Sequence, residues 1–269
     1  MDSIKIPKII HLVWLGENEF SPLEKKCIQS WHDILPDYKI RRWTTDMALS
    51  LKIPYVQEAI AMKKWAFAAD VVRAYALYTE GGVYMDADVF LKRRFDTILT
   101  HSFVGFNECA PYLFDAKLCD DQFRRRVDVN SIPWQSVEIS FMASEKGNEF
   151  LSMVLDDYKG RQFIEEDGSL TMNSIIGPTI YAIVAEKLGL QYKDETQILK
   201  NDVILYESKY YNSVDDPVAF AVHLGSHSWV DKKRTPKTVV KNLLKRVLSY
   251  LNLYKKDIRH LKYDKKYRK

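Results

Sequence analysis

The sequence predicts an α/β domain followed by a basic helical tail, and three observations carry that expectation. Residues 8–15 are apolar and β-rich; a helix start and a second strand-like run at 38–44 follow, so a βαβ unit opens the chain. Residues 63–80 form the best helical pattern and stop at Gly81-Gly82, directly before a short strand that ends in Asp86-Ala87-Asp88. Charge divides the 269 residues unevenly: 232–269 hold 15 Lys and Arg against two acids, a net of +13, whereas 1–231 hold 25 bases against 34 acids, a net of −9. That shift marks the boundary between a body, 1–231, and a tail, 232–269.

Each element follows from local signals. The run 8–15 has the length and composition of a buried strand. Ser21-Pro22-Leu23-Glu24 supplies an N-cap, a proline at the first helical position and the acid of a capping box, so a helix runs to about Leu35, where Pro36 ends it. Thr44-Thr45-Asp46 caps the segment after the second strand. Within 63–80, Trp65, Ala69, Val72, Ala76 and Leu77 fall at helical spacing. Further strands are expected at 103–106, 137–143, 203–206 and 220–224, and helices at 147–158 and 179–188. The polar stretch 107–133 reads as an irregular lid or acceptor-binding loop. In the tail, Val240, Leu244, Val247, Leu251, Tyr254, Ile258 and Leu261 step by four and three residues, an unbroken apolar stripe on a basic helix.

Composition excludes several classes. At 46% hydrophobic and 13% aromatic, the chain can bury a sizeable core and is not disordered along most of its length. No apolar run approaches the ~18 residues that span a bilayer, and the first residues lack a signal-peptide pattern. Cys27, Cys109 and Cys119 are odd in number and form no CxxC, which argues against a disulfide framework or a cysteine zinc site. The expectation is a soluble protein of a reducing compartment.

The chemistry centres on Asp86-x-Asp88. Two carboxylates at a strand end suit Mn²⁺ or Mg²⁺, hard cations that prefer oxygen and bind diphosphates. Alone the pair means little, because the 22 Asp of the chain produce about two such triplets by chance and most lie in solvated turns. Context raises its weight. Asp70 and Arg73 stand at i, i+3 on the preceding helix, among Phe67, Ala68, Ala69, Val71, Val72, Ala74 and Tyr75, and a charge pair in so apolar a helix needs a reason. His223 ends the apolar run Phe220-Ala221-Val222 and is a candidate ligand; His227, four residues on, is its rival, and the sequence does not separate them. His11, inside a strand, reads as a hydrogen-bonded core residue. Trp14 is either a core tryptophan or a stacking platform, and Gly177-Pro178 either opens an acceptor-side helix or is an ordinary turn.

Three ordered blocks carry a family resemblance. Ile6-Pro7-Lys8-Ile9-Ile10-His11-Leu12-Val13-Trp14 is similar to the opening strand of the DXD-containing glycosyltransferase family 32. Residues 66–91 resemble its pattern A-x-x-S-D-x-x-R…L-Y-x-x-G-G-x-Y-x-D-x-D, and His223-Leu224-Gly225-Ser226-His227-Ser228-Trp229 resembles its closing H-x-x-x-x-S-W. The family includes yeast α-mannosyltransferases and bacterial polysaccharide glycosyltransferases, with clostridial glucosylating toxins more distantly similar. The resemblance implies a GT-A type, Rossmann-like nucleotide-sugar-binding domain over 1–231 that retains anomeric configuration. It implies that Val13 and Trp14 meet the nucleotide, with the Trp14 indole on the base, and that Asp70 and Arg73 hold donor sugar or phosphate. Tyr84 and Asp86 would contact the ribose and diphosphate region, and Ser228 and Trp229 would close over the diphosphate. Asp86, Asp88 and His223 would serve the metal, and Asp70, Arg73, Asp86 and Asp88 form the catalytic set. Ala69 stands where the family pattern has Ser, which puts the hydrogen bonding around the sugar in doubt.

No unambiguous nucleophile is present, so front-face attack within an ion pair is the preferred chemistry. The expected reaction moves a hexose or N-acetylhexosamine from a nucleotide sugar, with uridine the family's tendency, to a lipid-linked glycan of a bacterial capsule or O-antigen. A sugar-nucleotide hydrolase and a non-catalytic sugar-nucleotide-binding module are the alternatives. The basic tail points to peripheral attachment to anionic lipid on the cytoplasmic face of the plasma membrane; docking of its stripe on the body or a second subunit competes with that reading. A nucleic-acid partner is not expected, because the body is acidic.

Overall fold

A strand with a parallel neighbour on either side organises the molecule, and the computed structural model describes residues 6–110, 114–133, 135–173, 175–211 and 216–225. β1 (Ile9–Val13) leads through α1 (Pro22–Ile34) to β2 (Lys39–Trp43), which pairs parallel to it. Ser21 caps α1 through a full capping box with Glu24, as the sequence predicts. From β2 the chain runs through α2 (Thr45–Ser50), α3 (Pro54–Ala61) and α4 (Trp65–Glu80) to β3 (Gly82–Met85), which pairs parallel on the other side of β1. Successive crossovers therefore leave β1 in opposite directions. The crevice at the C-terminal ends of β1 and β3 is the switch point where doubly wound sheets bind ligands.

The remaining elements complete a seven-stranded sheet. β4 (Val89–Leu91) leaves it; β5 (Phe103–Cys109), β6 (Gln135–Ser144), α5 (Glu149–Lys159), α6 (Gly177–Glu186), β7 (Gln197–Leu199) and β8 (Val203–Tyr206) follow, and β9 (Ala221–His223) returns to pair with β4. The order is β2-β1-β3-β6-β5-β8-β7. β6 is antiparallel to both neighbours and β7 to β8, so the sheet is mixed, and the Rossmann-like arrangement is confined to β2-β1-β3. All ten residues of β6 are buried. Helices α3 to α6 cover one face with a continuous apolar core, and α1 covers the other around Trp31, Phe95 and Phe141.

Two expectations need correction. The stretch 107–133 is not irregular from its start: Asn107, Glu108 and Cys109 extend β5 because β6 supplies Val137, Ser136 and Gln135 as partners. β4, α3 and β7 are absent from the sequence reading; β4 and β7 have three residues each, too short to show a period. Residues 226–269, including the tail, lie outside the described residues.

Candidate active site

The tight passage from α4 to β3 sets the site. Gly81 and Gly82 take positive φ values of 68° and 109°, and a Cβ on Gly82 would fall 2.6 Å from the Ile9 carbonyl oxygen. His11 locks the turn. Its Nδ1 accepts from the Trp43 indole N–H at 3.0 Å, which leaves the proton on Nε2 to donate to the Gly81 carbonyl at 2.7 Å. Burial lowers the pKa of this fully enclosed imidazole, so it remains neutral. The core role expected for His11 is the one it has.

Beyond β3, Asp86 N–H donates to the Ser140 carbonyl at 2.9 Å and Val89 N–H to the Asp86 carbonyl at 2.9 Å, so Asp86-Ala87-Asp88 is a turn held against β6. The β4–β9 ribbon then brings His223 to it. Val89 pairs with His223, and Leu224 N–H donates to the Asp88 carbonyl at 3.1 Å. His223 Nε2 consequently lies 3.2 Å from Asp88 Oδ1 and 3.9 Å from Asp86 Oδ2. One donor atom from each of Asp86, Asp88 and His223 lies within 4.8 Å of the others. Opposite ligands of a small divalent cation stand about 4.2 Å apart and adjacent ones about 3 Å, so these three fit around one ion with little movement. Two carboxylate oxygens and an imidazole suit Mn²⁺ or Mg²⁺. His227, Ser228 and Trp229 lie outside the described residues.

Arg73 joins this cluster to α4. Its Nη2 meets Asp70 Oδ1 at 3.0 Å, Nη1 meets the Ile139 carbonyl at 2.7 Å and Asp86 Oδ1 at 3.5 Å, and Nε donates to the Ala69 carbonyl at 3.2 Å. The Tyr84 ring lies beneath the guanidinium, 4.5 Å from its centre, and the Tyr84 hydroxyl donates to Asp86 Oδ1. Arg73 thus orients two carboxylates at once, with its fork already occupied by protein acceptors. Burial raises the Asp70 carboxyl to about 7 against the pull of Arg73. Burial also raises Asp86, opposed by Arg73 and His223. At His223, burial opposes the charge, but the hydrogen bond to Asp88 and the fields of Asp88, Glu138 and Asp86 override it and lift the imidazole to about 9.

Val13 and Trp14 stand at the end of β1. The register His11↔Tyr84 runs Val13 toward Asp86, although the Val13 side chain is buried in the core. Trp14 is half-buried, 4.4 Å from the Phe20 ring centre, and its indole N–H donates to the Asn18 carbonyl at 2.7 Å. The structure therefore gathers Asp70, Arg73, Tyr84, Asp86, Asp88 and His223 into one contact network, whereas the contacts of Trp14 are to Phe20 and Asn18.

Sequence reasoning passed over Glu138. It lies buried on β6, accepts from the Ser140 N–H at 2.9 Å, and adds its field to His223. Its neighbour Glu108 is raised to about 7 by burial and by Glu138. An acid inside the apolar run Val137-Glu138-Ile139 was the available signal.

Residues 21–104 match the family described as glycosyltransferase sugar-binding region containing DXD motif. This segment is similar to that DXD-containing region. It includes Asp70, Arg73, Tyr84, Asp86 and Asp88, and it leaves Trp14 and His223 outside. The chain is 34% identical over 104 residues to inositol phosphoceramide mannosyltransferase 3 of Schizosaccharomyces pombe, a match covering 36% of this chain and 28% of that one. It is 33% identical over 101 residues to mannosyl phosphorylinositol ceramide synthase SUR1 of Saccharomyces cerevisiae, covering 35% and 25%. The chain thus covers about a quarter of the length of these relatives. Among solved structures, the PaToxG glycosyltransferase aligns with 19% identity and a TM-score of 0.46 over 68% of this chain and 69% of that one.

Proposed function

We propose that this protein is a metal-dependent, retaining glycosyltransferase of GT-A type that uses a nucleotide sugar. The observation that supports this most is the convergence of Asp86, Asp88 and His223 beside the Asp70–Arg73 pair, at the switch point of the sheet and within or next to the DXD region. Asp86, Asp88 and His223 hold Mn²⁺ or Mg²⁺, which when bound neutralises charge developing on the departing nucleoside diphosphate. Asp70 faces the donor sugar and stabilises oxocarbenium character at its anomeric carbon, by analogy with glycoside hydrolysis. Arg73 and Tyr84 keep Asp70 and Asp86 in place. Trp14 supplies an aromatic face for the base, worth about 1–3 kcal/mol.

The donor is a hexose or N-acetylhexosamine nucleotide. UDP-sugars are the first choice, and GDP-mannose belongs beside them because the similar fungal proteins are named as mannosyltransferases. The acceptor is a lipid-linked glycan of a bacterial surface polysaccharide. The basic segment 232–269 keeps the enzyme on anionic lipid at the inner face of the plasma membrane, each Lys or Arg near the surface adding about 1 kcal/mol.

A melting-temperature panel of UDP- and GDP-sugars, each with Mn²⁺ and with EDTA, tests the reading. Stabilisation by one sugar nucleotide in Mn²⁺ alone supports it and identifies the donor. Failure of every nucleotide to shift the melting point overturns it.

A further inference from the structure

We infer that the N-terminus of α6, through Gly177, positions the Asp70 carboxylate, so that Gly177 determines how the donor sugar is held. The inference rests on the glycosyltransferase reading for its function and on geometry alone for the contact.

Three observations meet at this point. A Cβ built on Gly177 would lie 2.4 Å from Asp70 Oδ2, 2.6 Å from Asp70 Cγ and 2.8 Å from Ile139 Cδ1. Real side chains do not approach so closely, so only glycine admits the observed carboxylate position. One turn further along α6, the Tyr181 hydroxyl donates to the Asp70 backbone carbonyl at 2.9 Å. Ile139, the third wall, is the residue whose carbonyl accepts from Arg73 Nη1 at 2.7 Å. Asp70 is therefore fixed on two sides, by Arg73 at Oδ1 and by the bare backbone of Gly177 at Oδ2, with Tyr181 tying the two helices together. Gly177 lies more than 70 residues beyond the DXD region, so nothing in that segment specifies this restraint.

Any side chain at 177 must push either α6 or the carboxylate. The first opens the helix pair; the second rotates Asp70 away from Arg73. Displacing a reacting or binding group by about 1 Å costs up to roughly 100-fold in rate. The base and diphosphate contacts are untouched by that rotation. Gly177→Ala is thus expected to weaken binding of the sugar-bearing nucleotide without weakening binding of the free diphosphate. A merely structural defect would lower the fraction of competent protein and leave the ratio of the two affinities alone.

The experiment compares wild type, Gly177→Ala, Asp70→Ala and the double variant. Affinities for UDP and UDP-glucose, and for GDP and GDP-mannose, are measured by calorimetry in Mn²⁺, with melting temperatures alongside. In Gly177→Ala, affinity for the preferred sugar nucleotide should fall about tenfold while that for its free diphosphate holds, since a charged hydrogen bond is lost. In the melting series, Gly177→Ala should lower the melting temperature in the wild-type background. It should leave it unchanged or raise it when Asp70→Ala has vacated the space. Equal loss of melting temperature in both backgrounds, or parallel loss of both affinities, overturns the inference. Failure of the wild type to bind any of the four nucleotides overturns the glycosyltransferase reading instead, while the melting series still decides the contact.

Discussion

Metal affinity should depend on pH through His223, and the two can be separated by melting the protein with and without Mn²⁺. The pKa of His223 lies near 9, above the ordinary 6.5 of histidine, because the attraction of Asp88, Glu138 and Asp86 outweighs burial. In the metal-free protein a raised pKa stabilises the fold below about 6.5, and that contribution is lost as pH rises through 9. Asp70 and Glu108, both near 7, act in the same direction between about 4 and 7. The melting temperature in EDTA should therefore fall as the solution becomes more basic. A metal-ligating imidazole must instead be neutral, so each unit below 9 costs tenfold in apparent metal affinity, about 1.4 kcal/mol. At fixed saturating Mn²⁺, raising the pH from about 6 to about 8 should thus increase the metal-induced stabilisation by about 2.7 kcal/mol. For a body of this size that is about 5–10 °C added to the gap between the two melting curves. In His223→Gln the gap should depend less on pH, retaining only what the raised carboxyl of Asp86 contributes. A wild-type gap of the same size at both pH values would show that no proton leaves when the metal binds, and His223 would then not be a ligand.

Other changes probe single contacts. Asp88→Ala should lower turnover by at least about 100-fold while the metal-free protein still melts cooperatively, because it removes a metal-facing carboxylate at a turn; near-wild-type turnover would refute the site. Arg73→Ala should destabilise the protein by about 3–5 kcal/mol in urea unfolding, since it leaves Asp70 buried without its partner. Trp14→Ala should weaken nucleotide binding by about 1–3 kcal/mol in calorimetry if the indole carries the base, and an unchanged affinity would return Trp14 to the core.

What the sequence made legible, and what it did not, follows from range. Capping residues, glycines and helical spacing are local, so α1, α4 and the α4–β3 turn could be read directly, and with them Asp70, Arg73, Asp86 and Asp88. His223 was legible only as one of two histidines. What brings it beside Asp88 is the β4–β9 register, a pairing across 130 residues or more that no local pattern reports, while His227 lies outside the described residues. Glu138 was passed over, and Gly177 was legible only as a possible helix start, which it is. Their meaning lies in what faces them: His223 for the first and the Asp70 carboxylate for the second. Arg73 was visible in type and place, but its contacts with Asp70, Asp86 and two backbone carbonyls are again long-range or conformational and were not.

The charges of the site argue for the order in which it fills. Three carboxylates, Asp70, Asp86 and Asp88, surround one guanidinium and one imidazole, and burial raises the pKa of both Asp70 and Asp86 despite Arg73. A purely structural ion pair has no use for the extra acids, and apolar side chains of similar volume in such places are often more stable by about 1–4 kcal/mol. The excess negative charge suits a ligand set that brings positive charge first and a diphosphate second. The metal should then be required for the nucleotide and not the reverse. UDP or GDP should bind at least about 100-fold more weakly in EDTA than in Mn²⁺, a difference near 2.7 kcal/mol. Mn²⁺ should bind without nucleotide. Asp70→Asn should melt above wild type in EDTA at about pH 8, where the native carboxylate bears a buried charge. Equal nucleotide affinity with and without metal would mean that these carboxylates are held together for another purpose.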